Sequence, residues 1–192
     1  MKAVLLVLSG PSGVGKTTVA QRLLEENVGL TKVVTCTTRK PREGEMDGVD
    51  YHFLSEEDFL RRVETGEFLE HAEVYGRRYG TLKGAVKGEL GQGRDVLLVN
   101  DVQGAATVAR MAEQDGELAE VLVTVYLVTD GIDELRRRLE SRGKDDAGVI
   151  EERLETAKEE LGRATEFDHV VTSGTREQDW RRVQDIYEAA KA

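Results

Sequence analysis

The sequence has few of the residues that build disulfide frameworks or zinc centres. Its single cysteine, Cys36, cannot form an intramolecular disulfide, which fits a reducing compartment. We expect Cys36 to be a small buried apolar residue. The three histidines, His52, His71 and His169, lie far apart and lack the spacing of zinc ligands. A disulfide-stabilised secreted scaffold and a zinc enzyme are therefore both disfavoured.

Long apolar runs and excess positive charge are also missing. The longest largely apolar stretch, residues 121–128 (VLVTVYLV), is too short to span a bilayer. The net charge of −10 argues against a protein that binds nucleic acid through backbone phosphates. The apolar run after Lys2 resembles a signal peptide, but a glycine-rich loop follows it and not a small-residue cleavage site. We expect a cytoplasmic protein without a membrane or nucleic-acid partner, and the pattern does not decide between monomer and homo-oligomer.

Apolar runs alternate with amphipathic segments along most of the chain. Buried strands are predicted at residues 4–8, 32–35, 95–99, 121–128 and 169–172. Helices are predicted at residues 16–26, 83–92, 103–113, 132–141, from about 149 to 166, and in the C-terminal segment. Continuous apolar strands separated by helices indicate an α/β fold with a parallel sheet covered on both faces.

One region departs from this alternation. Between residues 35 and 79 the chain has a Pro/Gly-punctuated loop (KPREGEMDG), a short helix at 56–64 opened by Ser55, and the strand-like FLEHAEVY. We interpret this region as a subdomain inserted into the parallel-sheet core.

A phosphate-binding motif lies between the first predicted strand and helix. Residues 10–17, GPSGVGKT, match G-x-x-x-x-G-K-[ST] in the strand–loop–helix context that the motif requires. Its glycines let main-chain amides converge on phosphate oxygens at the positive end of a helix. Lys16 is predicted to pair with the β- and γ-phosphates of a nucleoside triphosphate, and the Thr17 hydroxyl to ligate Mg²⁺. The predicted cradle residues are Gly10, Pro11, Ser12, Gly13, Val14, Gly15, Lys16, Thr17 and Thr18.

A second anion site is indicated in the inserted region. Arg39 and Arg42 bracket a Lys-Pro step, and two guanidinium groups on a stiff loop suit bidentate recognition of a phosphate. For these two residues alone, a solvated basic loop is an equal alternative.

Taken together, these motifs resemble the guanylate kinase family. The matching segments cover nearly the whole chain in family order: GPSGVGKTT, TTRKPREGEMDGVDYHF, FLEHAEVYGRRYGT, DVQGA and RLESRGKDD…IEERL. The resemblance implies a P-loop NTPase core with a parallel sheet (residues 1–34, 80–137 and 167–192), an inserted GMP-binding subdomain (35–79) and a helical lid (138–166). It also implies transfer of the ATP γ-phosphoryl group to GMP, with dGMP as a further acceptor and Mg²⁺ as cofactor, in purine nucleotide metabolism.

The resemblance also implies which residues hold GMP. The residues at phosphate-contact positions are Thr35, Arg39, Arg42, Tyr51 and Tyr79, with Thr81 nearby. Glu70 and Asp101, with Thr81, occupy the positions that read guanine. Guanine presents N1–H and a 2-amino group side by side, for which carboxylates are matching acceptors, whereas adenine would leave a buried carboxylate unpartnered. Without the resemblance, Glu70 would be interpreted as an exposed strand residue and Asp101 as a helix N-cap.

Phosphoryl transfer depends on charge neutralisation and positioning, so the predicted catalytic residues are cationic. Besides Lys16 they are Arg138, Arg142 and Arg153, which align with the family's lid arginines. Arg142 and Arg153 are expected to stabilise the transferring group, with Arg138 nearer the ATP end. The alternative is a solvent-facing ion-pair pattern along the lid helices. A lid that closes over both substrates would also exclude water.

Two departures from the family bear on function. Val99 stands where the family commonly has an acidic residue that helps to hold water around Mg²⁺, and Ser173 replaces an asparagine in the adenine-side loop. Two other interpretations stay open: a non-catalytic guanylate-kinase-like binding module, and a P-loop kinase for another acceptor.

Overall fold

The computed structural model describes residues 2–74, 76–142 and 146–192, the side chain of Arg142 excepted. The strands are β1 (Leu5–Ser9), β2 (Leu30–Thr31), β3 (Cys36–Thr37), β4 (His52–Phe53), β5 (Phe68–Val74), β6 (Arg77–Leu82), β7 (Asp95–Val99), β8 (Leu122–Val128) and β9 (His169–Thr172). The α-helices are α1 (Lys16–Glu26), α2 (Glu56–Glu64), α3 (Lys83–Gly91), α4 (Val102–Glu113), α5 (Gly116–Val121), α6 (Ile132–Arg142), α7 (Ala147–Leu161) and α8 (Arg176–Lys191).

The larger sheet is parallel and has the order β2-β7-β1-β8-β9. Its central strand β1 is buried on both faces. Leu6 and Leu8 pack into one apolar cluster with residues of α1 and α8, and Leu5 and Val7 pack into another with residues of α4. The apolar runs therefore form the doubly covered parallel sheet of an α/β fold, as predicted.

A smaller mixed sheet, with the order β4-β3-β6-β5, is built from the irregular region of the sequence. Together with α2 it has its own apolar cluster, in which the rings of Phe59 and Phe68 stack at 4.4 Å beside the buried thiol of Cys36. The last strand of this sheet, β6, runs to Leu82, so the proposed domain boundary at residue 79 falls inside a strand.

Helices α6 and α7 form a hairpin with a separate apolar cluster of Leu135, Leu139, Ile150, Leu154 and Ala157. The Asp146 carboxylate caps α7 by accepting a hydrogen bond from the Val149 N–H at 3.0 Å. This hairpin corresponds to most of the proposed lid.

Some predicted elements differ from the structure. The strand predicted at residues 32–35 is wrong: β2 ends at Thr31 and β3 begins at Cys36, because this segment leaves the core sheet for the smaller one while Val33 stays buried in the core. The helix predicted from about 149 to 166 ends at Leu161 before Gly162, and a 3₁₀ turn follows at Ala164–Glu166. Within the described ranges, no helix is long and apolar enough to cross a membrane.

Candidate active site

The loop between β1 and α1 takes a conformation that requires glycine. Gly10, Gly13 and Gly15 have φ angles of 141°, 92° and 117°. A Cβ on Gly10 would lie 2.2 Å from the carbonyl oxygen of Leu127, and one on Gly13 would lie 2.7 Å from Leu139 Cδ2. The loop therefore packs its backbone directly against β8 and α6, and side chains at these two positions would push it away.

The start of α1 is left open for an anion. No side chain in the described part of the chain caps the helix at Gly15, and its first turn carries no acidic residue. The Lys16 ammonium group folds back over the loop and donates to the carbonyl oxygens of Gly10 (2.5 Å) and Pro11 (3.1 Å). Burial lowers the pKa of Lys16, while Glu160 and Asp101 oppose that shift. A phosphate bound at this helix end would supply a further counter-charge.

A cavity of about 670 Å³ opens above this loop. Its lining residues are Ser12, Gly13, Val14, Gly15, Lys16, Thr17, Thr18, Val19, Arg138, Ser141, Arg153, Gly174, Thr175, Arg176 and Asp179. The structure thus brings the predicted cradle residues from Ser12 to Thr18 together with two of the three predicted lid arginines. Gly10 and Pro11 do not line the cavity. We call it the donor cavity.

Arg138 connects the helical hairpin to the phosphate loop. Its Nη1 donates to the Val14 carbonyl oxygen (3.0 Å) and to Ser173 Oγ (2.7 Å), and its Nη2 donates to the Gly174 carbonyl oxygen (3.2 Å). Its Nε donates to Glu134 at 2.8 Å. In this conformation the guanidinium group is held by protein acceptors at the wall of the donor cavity, and a direct role at the transferring phosphate stays a prediction.

Of the other two predicted lid arginines, the structure describes the side chain of only one. Arg153 Nη1 donates to Ser12 Oγ at 3.1 Å, which places this guanidinium group at the tip of the phosphate loop. The side chain of Arg142 lies outside the described residues, so its predicted role is not placed.

A second cavity, of about 250 Å³, lies between the carboxyl end of β7 and the smaller sheet. Its lining residues are Lys32, Val33, Thr35, Tyr51, Glu70, Ala72, Val74, Tyr79, Gly80, Thr81, Leu97, Leu98, Val99, Asn100 and Asp101. Six residues predicted to hold GMP are among them: Thr35, Tyr51, Glu70, Tyr79, Thr81 and Asp101. We call this the acceptor cavity.

Glu70 is the buried acid of the acceptor cavity. It is 8% exposed and lies opposite Thr81 in the β5–β6 ladder, where its Oε1 accepts a hydrogen bond from Thr81 Oγ1 at 2.5 Å. Burial raises the pKa of the Glu70 carboxyl group, with a further contribution from Asp101, while the hydrogen bond from Thr81 opposes the rise. The cavity therefore presents a hydrogen-bond acceptor in a poorly solvated setting.

Asp101 is both a helix N-cap and a residue of the acceptor cavity, two interpretations that were alternatives on sequence alone. It is the N-cap of α4, with its Oδ1 accepting from the Gly104 N–H at 2.7 Å, and it also lines the acceptor cavity. One carboxylate oxygen is engaged in this cap. The N-cap role does not exclude guanine recognition by the other oxygen.

The two predicted phosphate arginines are placed differently. Arg39 forms a bidentate pair with Glu45, at 3.0 and 2.8 Å, and lies 5.4 Å from the centroid of the Tyr51 ring. This pair and a hydrogen bond to Tyr79 raise the pKa of Arg39. Arg42 is exposed, does not line the acceptor cavity, and donates its main-chain N–H to Glu45 at 2.7 Å. The sequence analysis did not single out Glu45, which joins both arginine segments.

Comparison with known proteins identifies the family of this chain. The family model described as guanylate kinase matches residues 2–190. The chain belongs to the guanylate kinase family. A guanylate kinase from Ruegeria sp. (strain TM1040) is 40% identical over 190 residues, which cover 99% of this chain and 85% of that relative. One from Maricaulis maris (strain MCS10) is 40% identical over 190 residues, covering 99% and 84%. The crystal structure of guanylate kinase from Anaplasma phagocytophilum matches with a TM-score of 0.72 at 35% identity, covering 98% of this chain and 86% of that one.

In this guanylate kinase family member, Asn100 is a candidate site residue that sequence reasoning did not predict. It lines the acceptor cavity, and its side-chain amide hydrogen-bonds to Glu70, which lowers the pKa of that carboxyl group against the effect of burial. Its Oδ1 is buried and has no hydrogen-bond partner in the described chain. The signal that could have found it is a polar residue directly after the apolar run of β7.

Glu160, in α7, is a second candidate residue that was not predicted. Burial raises the pKa of its carboxyl group, while the ammonium group of Lys16 lowers it and the charge of Asp101 raises it. Arg163 faces the same group and lowers its pKa further. A mixed-charge cluster therefore joins α7, the phosphate loop and the start of α4. No local sequence pattern distinguishes Glu160 from the other glutamates of α7.

Proposed function

We propose that this chain transfers the γ-phosphoryl group of ATP to GMP, producing ADP and GDP, and that it accepts dGMP as well. The observation that carries the proposal is the pairing of two cavities: one above an open glycine-rich helix N-terminus, the other around the buried carboxylate of Glu70. Membership of the guanylate kinase family supports the same reaction.

On the donor side, the main-chain amides at the start of α1 and the ammonium group of Lys16 would hold the β- and γ-phosphates. The glycine positions supply the close backbone approach that this grip requires. Arg138 would hold the phosphate loop in a fixed position relative to the α6–α7 hairpin, because it donates a hydrogen bond to the Val14 carbonyl oxygen.

On the acceptor side, Glu70 and the second carboxylate oxygen of Asp101 would accept hydrogen bonds from the N1–H and 2-amino group of guanine. Thr81 and Asn100 would keep the Glu70 carboxylate ionised and oriented. The GMP phosphate would lie toward Tyr51, Tyr79, Thr35 and Arg39. Arg39 is paired with Glu45, which neutralises part of its positive charge. Arg39 would therefore hold the GMP phosphate while keeping its ion pair with Glu45.

The transfer itself needs alignment and charge compensation, and no nucleophilic side chain. Lys16 and Arg153 would neutralise charge on the transferring group, with Arg142 joining them from the end of α6. Closure of the α6–α7 hairpin would exclude water and prevent wasteful hydrolysis of ATP.

The residues present fit a magnesium ion that binds together with ATP. No group of three His, Cys, Asp or Glu side chains in the described ranges could hold a metal ion alone. Mg²⁺ usually keeps several waters and takes phosphate oxygens, so it needs few protein ligands. The exposed hydroxyl of Thr17, in the first turn of α1, would supply one. When bound, Mg²⁺ neutralises phosphate charge during transfer.

The division into a core, a GMP-binding insertion (35–79) and a lid (138–166) belongs to the same proposal, as does a place in purine nucleotide metabolism. A cytoplasmic location is also proposed, because a sequence with a single cysteine fits a reducing compartment.

A coupled ADP-release assay with GMP, dGMP, AMP, CMP and UMP tests the proposal. We expect turnover with GMP and dGMP and little with the other acceptors. Turnover with AMP but not GMP would contradict it, and no turnover with any acceptor would favour a binding module. Lys16→Met should lower kcat by about 100-fold or more, the scale of one lost transition-state contact. Lys158→Met is a matched control, because Lys158 is an exposed α7 lysine that pairs with Glu155.

A further inference from the structure

The acceptor cavity is lined by one cationic side chain that the sequence analysis did not single out. Lys32 borders the cavity together with the carboxylates of Glu70 and Asp101, and it is the only lysine or arginine among the described residues that do so. Its ammonium group makes no hydrogen bond or ion pair within residues 2–74, 76–142 and 146–192. A positive charge without a protein counter-ion therefore borders the space that the proposed function gives to a nucleoside monophosphate.

The chain direction at β2 sets the side of the cavity from which Lys32 approaches. Strand β2 pairs in parallel with β7, and its Leu30 packs in the apolar cluster that includes residues of α1. Side chains two positions apart in an extended chain point to the same face, so Lys32 lies on the α1 face of the sheet. Leu97 and Val99 of β7 pack in or against the same cluster, and both line the cavity with Lys32. Because α1 begins at the phosphate loop, Lys32 borders the cavity on its donor side.

The two arginines predicted to hold the acceptor phosphate leave a need for further positive charge. Arg39 is engaged in its bidentate pair with Glu45, Arg42 is exposed, and neither lines the acceptor cavity. A phosphomonoester carries about 1.5–2 negative charges at neutral pH, and two carboxylates already border this cavity. An unpaired cation at the wall offsets that repulsion, and Lys32 supplies it.

Lys32 is close enough in the chain to the proposed phosphate contacts to act with them. It precedes Thr35 by three residues, in the segment that leaves the core sheet for the smaller one, so the two Cα atoms are at most about 11 Å apart. The flexible four-carbon stem of a lysine covers much of such a distance. Thr35, Tyr51 and Tyr79 bring hydroxyl groups to the same cavity. An ammonium group binds phosphate as a point charge, which complements these hydroxyls.

We propose that Lys32 is a binding residue for the phosphate of the acceptor nucleotide, which it contacts from the side of the cavity nearest to α1. This inference rests on the proposed function, which places GMP in that cavity. The alternative is a solvated lysine that touches no ligand, and its removal would then leave GMP binding unchanged.

The first experiment is a calorimetric titration with GMP and with guanosine, which lacks the phosphate. We expect Lys32→Met to weaken GMP binding by about tenfold or more, the scale of one hydrogen bond to a charged group, and to change guanosine binding by less than about twofold. Lys32→Arg keeps the charge and should bind GMP within about threefold of the unmodified chain. Lys2→Met is a control with the same change in net charge, because Lys2 is an exposed residue that precedes β1 and pairs with Glu120.

Two results of this titration would overturn the inference: equal GMP affinities for Lys32→Met and Lys2→Met, or a loss of guanosine binding as large as the loss of GMP binding. The second result would mean that the substitution damages the whole cavity. An unmodified chain that bound no GMP would refute the proposed function and the inference together, whereas GMP binding that does not depend on Lys32 would remove only the inference.

The second experiment measures steady-state kinetics of the same variants. In Lys32→Met, KM for GMP should rise by about tenfold or more while KM for ATP stays constant, because the contact is made to the acceptor alone. A parallel rise in both constants, or no rise in either, would overturn the inference. Absence of turnover in the unmodified chain, together with GMP binding that depends on Lys32, would refute phosphoryl transfer and still support the inference.

Discussion

Thr81 and Glu70 face each other across the β5–β6 ladder, and the threonine hydroxyl donates a hydrogen bond of 2.5 Å to a carboxylate that is 8% exposed. Burying a carboxylate costs free energy unless polar groups satisfy it. Here Thr81 and Asn100 provide some of the hydrogen bonds that the Glu70 carboxylate needs. The carboxylate can still accept further hydrogen bonds from a ligand in the acceptor cavity. This arrangement fits the guanine recognition proposed for Glu70.

Glu70→Gln tests that role. Glutamine keeps the bond from Thr81 but offers an amide where guanine needs an acceptor, so kcat/KM for GMP should fall by about 10- to 150-fold, or about 1.5–3 kcal/mol. The melting temperature at neutral pH should not fall, because burial disfavours the ionised carboxylate that the substitution removes. The matched control is Glu73→Gln, at an exposed position of the same strand, which should leave both measurements unchanged. Equal losses in the two variants would contradict the assignment.

The pH dependence of GMP use should report the Glu70 carboxyl group. Burial raises its pKa above the ordinary value of about 4.3, so the ionised acceptor is lost, and kcat/KM for GMP declines, at a higher pH than for an exposed glutamate. Thr81→Val removes a hydrogen bond that lowers this pKa, so the acidic limb should move to higher pH. The phosphate of GMP titrates identically in both proteins, so the difference between the profiles isolates Glu70. Superimposable profiles would refute this account.

Asp179→Ala should weaken both the fold and the donor site. The substitution leaves the Ser173 hydroxyl and the Gly174 N–H without their acceptor, at a cost of about 2–4 kcal/mol and about 5–15 °C in Tm. KM for ATP should rise while KM for GMP stays constant, because only the donor cavity borders this network. Asp185→Ala, at an exposed position of the same helix, is the control for thermal unfolding and steady-state kinetics. A parallel rise in both KM values would show that Asp179 does not act on the donor side alone.

Val99→Asp should change the magnesium requirement. Val99 ends β7 beside the acceptor cavity, where the family commonly has an acidic residue, so the substitution should lower the Mg²⁺ concentration that gives half-maximal rate. The same shift should appear in the Mg²⁺ dependence of ATP-analogue affinity. Val99→Asn has a similar shape without the charge and should not reproduce the shift. No difference between Val99→Asp and the unmodified chain in either titration would refute the idea.

Local patterns predicted much of the fold. The predicted bounds of α1, α2, β7 and β9 agree with the structure, because each has a clear apolar periodicity or a capping residue. The strand predicted at residues 32–35 was wrong because the side chain of Val33 packs in the core without its backbone pairing in a strand. Such a segment has the composition of a strand, and only tertiary contacts decide otherwise.

The phosphate loop could be predicted because its motif fixes the spacing, whereas the phosphate contact expected of Arg39 stays a prediction. Asn100, Glu160 and Asp179 could not be found this way, because each acts through residues distant in sequence. Asp179 acts through its contacts with Ser173 and Gly174, and Glu160 through its nearness to Lys16 and Asp101. One-dimensional spacing carries no information about such contacts.

The central claim is that two carboxylates choose the base of the acceptor. The most direct test is the ratio of kcat/KM for GMP to that for AMP, measured for the unmodified chain and for the double variant Glu70→Gln, Asp101→Asn. We predict a large ratio for the unmodified chain that collapses toward one in the double variant. A double variant that prefers GMP as strongly as the unmodified chain would contradict the account.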